Sequence, residues 1–107
     1  MGVVEQARAL AAELGRSQEL QNYKTAQQQV ILDQSAMKLL NKYMEMEQEL
    51  ILKQMQGQQV PEADVNNLKS YRQQISANQV VAKFFTAKDS FEQLWYSVNQ
   101  IIGSVIG

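Results

Sequence analysis

The stretch VVAKFFTAKDSFEQLWYSVNQIIGSV, from Val80 to Val105, decides how the chain folds. Phe84, Phe91, Val98 and Val105 recur every seven residues in it, and so do Val80, Ala87, Leu94 and Ile101. Apolar residues at this period fall on one side of an α-helix, whereas a strand would alternate apolar and polar positions. Trp95 and Ile102 widen the stripe beyond the seam that one neighbour needs. Such a helix is either the central core helix of a single chain or a helix shared between two protomers.

The same period runs back towards the N-terminus. Val3, Val4, Ala7, Leu10, Ala11 and Leu14 predict a first helix over about residues 2–14, with Gly15 as its stop. Ser17 is the N-cap of a second helix that reaches about Leu32, with Leu20, Tyr23, Ala26 or Gln27, Val30 and Ile31 on its inner face. After Asp33 comes the longest pattern, DQSAMKLLNKYMEMEQELILKQMQ, whose apolar stripe is Ala36, Leu39, Leu40, Tyr43, Met46, Leu50 and Met55. Gly57 ends it, and GQQVPEAD is the clearest loop, with Pro61 and Glu62 opening a fourth helix. Val65, Leu68, Tyr71 (or Arg72) and Ile75 carry that helix to a break near Asn78. The expected fold is all-α: an antiparallel bundle of about five helices in a single domain, residues 1–107.

Two parts of the chain echo each other. QQVILDQSAMKLL (28–40) and QQISANQVVAKFF (73–85) lie 45 positions apart and share Gln-Gln, an Asp or Asn before Gln, and Lys before two large apolar residues. At the same offset Glu19-Leu20 matches Asp64-Val65, and Glu47-Gln48 matches Glu92-Gln93. This is the pattern of a helix–break–helix unit used twice. Asp33 and Asn78 stand where each second helix begins, and their side chains accept from the orphan N–H groups of its first turn. Lys38 and Lys83 then point outward, while Leu39-Leu40 and Phe84-Phe85 pack inward. A lone Asp and a lone Asn, with no acids or His converging on them, make a poor ligand site.

Composition excludes much chemistry. The chain has 107 residues, 45% of them hydrophobic, with no Cys and no His. Thiol nucleophiles, disulfides, zinc fingers and imidazole acid–base catalysis are therefore absent. The net charge is −1, from 10 basic and 11 acidic residues, and no basic block or stripe gathers to displace counterions from a nucleic acid. Glu45, Glu47 and Glu49 alternate within one helix and point in different directions, unlike the inward-facing carboxylates of a di-metal bundle. Met37, Met44, Met46 and Met55 are either core filling or an adaptable groove for a partner helix. There is no phosphate-binding Gly-rich loop, no signal peptide in MGVVEQARALAAELG, and no apolar run of membrane-spanning length. A non-enzymatic, cytoplasmic protein is expected, with no cofactor, no metal and no membrane association.

Taken in order, ALAAELGRSQELQNYKTAQQQV, LDQSAMKLLNKY, LKQMQGQQVPEADVNNL and ANQVVAKFFTAKDSFEQLWYSVNQIIGSVI resemble the YlbF/YmcA family of small helical proteins from Gram-positive bacteria, its YheA-like branch above all. The chain departs from that pattern where members often carry Pro after the Asp or Asn of each break. It has Gln34 and Gln79 there, which leaves open whether each is a full interruption or a bend. Some members have a Cys-containing tail linked to iron–sulfur binding, a property that a chain without Cys does not take over. The resemblance implies a five-helix bundle, usually dimeric, and a regulatory or adaptor role. Relatives of this kind act in competence, sporulation and biofilm control, and as accessory factors that direct a ribonuclease in mRNA processing. The expected partners are a second copy of the chain and other proteins, family relatives or a ribonuclease among them. Phe84, Phe91, Trp95 and Val98 are the expected interface. The rival readings are a direct RNA-binding regulator, which the thin spread of basic residues argues against, and a carrier of a small ligand held between helices.

Overall fold

Asp33 and Asn78 sit at the two interior breaks and do what short polar side chains do at helix starts. In the computed structural model, which describes residues 2–105, Asp33 has extended backbone (φ −117°, ψ 107°), and its Oδ1 accepts from the N–H of Ala36 at 3.1 Å. Asn78 Oδ1 accepts from the N–H groups of Val80 and Val81, at 3.0 and 3.2 Å. The elements are α1 (Val3–Arg16), α2 (Gln18–Ile31), α3 (Gln34–Met55), α4 (Glu62–Ile75) and α5 (Gln79–Gly103), with no strand among the described residues. The protein is all-α. Gln34 and Gln79 are the first residues of α3 and α5, so both breaks are full interruptions.

The other helix ends follow from local chemistry. Gly57 adopts φ +75°, a conformation that costs glycine little and other residues much. Around it the N–H of Gly57 bonds Gln54 O at 3.1 Å and that of Gln58 bonds Lys53 O at 2.9 Å. This crossed pair satisfies two orphan carbonyls of α3. Gly15, expected to end α1, lies inside it. The helix runs on to Arg16 and turns only at Ser17, whose backbone is extended (φ −63°, ψ 145°). The Ser17 hydroxyl explains the shift, because it donates to Leu14 O at 2.7 Å and accepts from Leu20 N–H at 3.2 Å. One residue closes α1 and opens α2, so no left-handed glycine is needed.

The chain forms two compact units, Gln29–Lys83 and Met1–Gln28 with Phe84–Gly107. In the first, α3 and α4 run antiparallel. Tyr71 OH donates to Leu39 O at 3.3 Å near one end, and Lys53 Nζ reaches Asp64 Oδ2 at 3.1 Å near the other. The Lys53–Asp64 pair is more than a third exposed on both sides and contributes little in water. Lys42 Nζ stands 5.1 Å from the Tyr71 ring centroid, a cation–π contact at the protein surface. The buried residues of this unit are Val30, Ala36, Leu40, Tyr43, Ile75 and Val81. Ile31 and Met55, read from sequence as inner-face residues, are exposed. Each is the last residue of its helix, where the chain is already turning away.

Replacing either cap tests this account of the breaks. Asp33→Ala and Asn78→Ala are each expected to cost about 1 kcal/mol of folding stability. Urea titration followed by circular dichroism reads the loss, and a change below about 0.3 kcal/mol at both positions would show that the caps do not hold the breaks.

Candidate protein-interaction surface

The second unit is built around α5. Tyr23 on α2 places its ring against two phenylalanines of α5, with centroid distances of 5.7 Å to Phe84 and 5.9 Å to Phe91. These separations suit tilted or offset aromatic pairing. Trp95 extends the row by stacking on Phe91, at 6.3 Å with 25° between ring planes. Glu19, four residues before Tyr23, shares a groove with Ser90, Gln93, Leu94 and Ser97. Tyr23 therefore lies beside Phe84 and Phe91 while Glu19 lies farther along, so α2 runs antiparallel to α5, with its first turn beside Leu94 to Ser97.

Beyond that turn α5 is open. Trp95 is 52% exposed, Ile101 71% and Val105 86%, and Tyr96 and Ile102 are also exposed. The heptad seam thus changes character midway. Phe84 and Phe91 are half-buried and engaged with Tyr23 in the same chain, and Val98 is half-buried at the edge of the covered part. Of the four residues expected at an interface, the structure gathers Phe84, Phe91 and Trp95 into one aromatic row, with Trp95 at its outer end.

The second open surface is α1. This helix has no buried residue, and Val3 is 87% exposed at its start. Its apolar residues Val3, Val4, Ala7, Leu10, Ala11 and Leu14 predicted the helix from sequence, but not whether their face is covered. A Leu that fills a core and a Leu that waits for a partner have the same spacing, so periodicity alone could not separate them. A further set, Met44, Ile51, Leu52 and Met55, is exposed along α3, whereas Met37 and Met46 are half-buried. The four methionines do not share one groove.

The polar hollows are less promising. The α3–α4 groove, about 160 Å³ and lined by Met46, Glu49, Leu50, Lys53, Asp64 and Asn67, is smaller than the roughly 300–1,000 Å³ of small-molecule sites. The groove beside Glu19 is about 290 Å³. A larger hollow of about 700 Å³ is lined by Asp89 to Asn99 of α5 alone, so it has no second wall. Among the described residues no three acids, His or Cys come together to hold a metal ion. No described helix is long and apolar enough to cross a membrane. What the α5 unit exposes is apolar and aromatic helix surface.

The family model described as "Control of competence regulator ComK, YlbF/YmcA" matches residues 3–106. A UPF0342 protein of Staphylococcus epidermidis is 26% identical over 102 residues, covering 95% of this chain and 90% of its own. A UPF0342 protein of Desulfitobacterium hafniense is 21% identical over 104 residues, covering 97% and 79%. No solved structure matches the chain.

A double-mutant cycle on Tyr23→Leu and Phe91→Leu measures what the aromatic pair adds beyond burial. The coupling energy expected from chemical unfolding is about 0.5–1.5 kcal/mol. A value indistinguishable from zero would show that the rings are neighbours without being partners.

Proposed function

The chain belongs to the YlbF/YmcA family, and we propose from this that it is a cytoplasmic, non-catalytic regulatory protein that acts as a homodimer by binding other proteins. The observation that carries the reading is the apolar length of α5 past Tyr23's reach, together with the stripe of α1, exposed at Val3 and Ala7 and only half-buried at Leu10 and Leu14. A monomeric soluble protein rarely leaves contiguous apolar surface of this kind in water, and aromatic residues such as Trp95 are favoured anchors in protein interfaces. The family's printed description supports a regulatory role. The lack of gathered basic residues favours protein partners over direct RNA contact, and family relatives or a ribonuclease are the partners the family suggests.

Sedimentation at micromolar concentration, with capture of the tagged protein from its own cytoplasm at low salt after nuclease treatment, tests the reading. A dimer mass and enrichment of specific proteins are expected. A monodisperse monomer that recovers nothing but itself would overturn it, and salt-sensitive binding of labelled RNA by the purified protein would replace it with the RNA-binding alternative.

Trp95→Ser is the sharper variant. With the ring half exposed in the chain, the loss of folding stability should stay below about 1 kcal/mol. Self-association should weaken by about 2 kcal/mol, or roughly 30-fold. An unchanged dimer affinity would remove Trp95 from the interface.

A further inference from the structure

We propose that the open half of α5 is covered by α1 of a second copy of this chain, each copy supplying its α1 to the other. This rests on the reading of the protein as a homodimer and names the segments that meet.

The first argument is α1's own stability. It is 14 residues long and buries none of them. A helix of that length is marginal in water by itself, because nucleation is costly and packing of an amphipathic face supplies most helical stability in proteins. The stripe of Val3, Ala7, Leu10 and Leu14 needs something apolar to lie on.

The second argument is the fit to α5. From Gln93 to its end at Gly103 that helix carries no charged residue, which matches the charge-poor centre of a protein interface. Past the level of Ser97 its open stripe is Val98 and Ile101, with Val105 just beyond the helix end. The α1 stripe, from Val3 to Leu14, is about 16 Å long at the α-helical rise, enough to span it. The α5 stripe also continues the seam that α2 already occupies at Phe84 and Phe91, so α1 would prolong an existing packing groove.

A second copy is the occupant because both stripes belong to one chain. A two-fold axis pairs each α1 with the other copy's α5 and leaves neither open, whereas an unrelated partner would have to bring both complements. In the chain itself α1 does not take this role, for none of its residues is buried and Ile101 stays 71% exposed. Ser17 bonds to both flanking helices, and Gln21 Nε2 donates to Gly15 O at 2.9 Å, which ties the α1–α2 junction locally.

The absence of native Cys makes a clean test. Leu10→Cys is prepared separately from Val98→Cys and from Ile101→Cys, each with a distinguishable tag, then mixed and mildly oxidised. These positions lie near mid-stripe, so either helix orientation brings one pair within reach. The expected result is a disulfide-linked hetero-pair, in yields well above those of any variant oxidised alone. In parallel, Leu10→Asp should raise the dimer Kd more than 100-fold while lowering the helical signal only by α1's share. A wild-type dimer whose mixed variants fail to cross-link, or link only α1 to α1, would overturn this proposal and leave the homodimer standing. A wild-type monomer would overturn both. A Leu10→Asp variant that stays dimeric would likewise rule α1 out.

Discussion

The ring of Tyr23, set against Phe84 and Phe91, joins α2 to α5 and so positions the candidate surface on α5. The two phenylalanines are two helical turns apart, so one tyrosine facing both determines which side of α5 receives α2. Once that is fixed, the heptad places Val98, Ile101 and Val105 on the same side, farther along. The coverage then stops for a covalent reason. At Ser17 the chain leaves α2 and turns into α1, and Glu19 already lies beside Ser97. The apolar residues of α5 past that level, Val98, Ile101 and Ile102, have no helix from α2 to cover them.

The two interior breaks show how little sequence is needed to stop one helix and start another. Proline is not required, because an Asp or Asn side chain competes with the helix for backbone N–H groups and wins at the first turn. Residues at a spacing of 45 around these caps share their fate: Val30 and Ile75, Ala36 and Val81, and Leu40 and Phe85 are all buried. A cap fixes the rotation of the helix that follows it. The third residue after the cap, Ala36 or Val81, therefore turns inward at both places, and the seventh, Leu40 or Phe85, does so one turn later.

Much of this was legible in the sequence because it depends on local chemistry. The helix class, the caps at Ser17, Asp33 and Asn78, the stop at Gly57 and the outward Lys38 and Lys83 all follow from side-chain reach and period. Gly15 misled because a glycine that can end a helix need not do so when the next polar residue does it better. Ile31 and Met55 misled because a stripe drawn by spacing does not end where its covering neighbour ends. The candidate surface was legible only by half. Spacing identified the apolar face of α5 and the aromatic residues on it. It could not reveal that Tyr23 takes up Phe84 and Phe91, because that pairing joins residues from distant parts of the sequence. Nor could it show that no residue of α1 is fully buried, since burial is a property of the neighbour as much as of the residue.

The placement of the open surface bears on how such a protein would regulate. A helix that is marginal alone and stable when docked couples folding to association, so its stability depends on protomer concentration. In the proposed dimer, part of the contact energy would be spent ordering α1, which would lower affinity for a given area and let a competitor of modest strength shift the equilibrium. The buried residues Ala36, Leu40, Tyr43, Ile75 and Val81 all lie in the Gln29–Lys83 unit, outside the segments that would exchange. The proposed assembly through α1 and the end of α5 would thus leave the packing between α3 and α4 out of the exchange. A regulator that paired with different proteins would gain from such a separation between what holds a chain folded and what joins it to others.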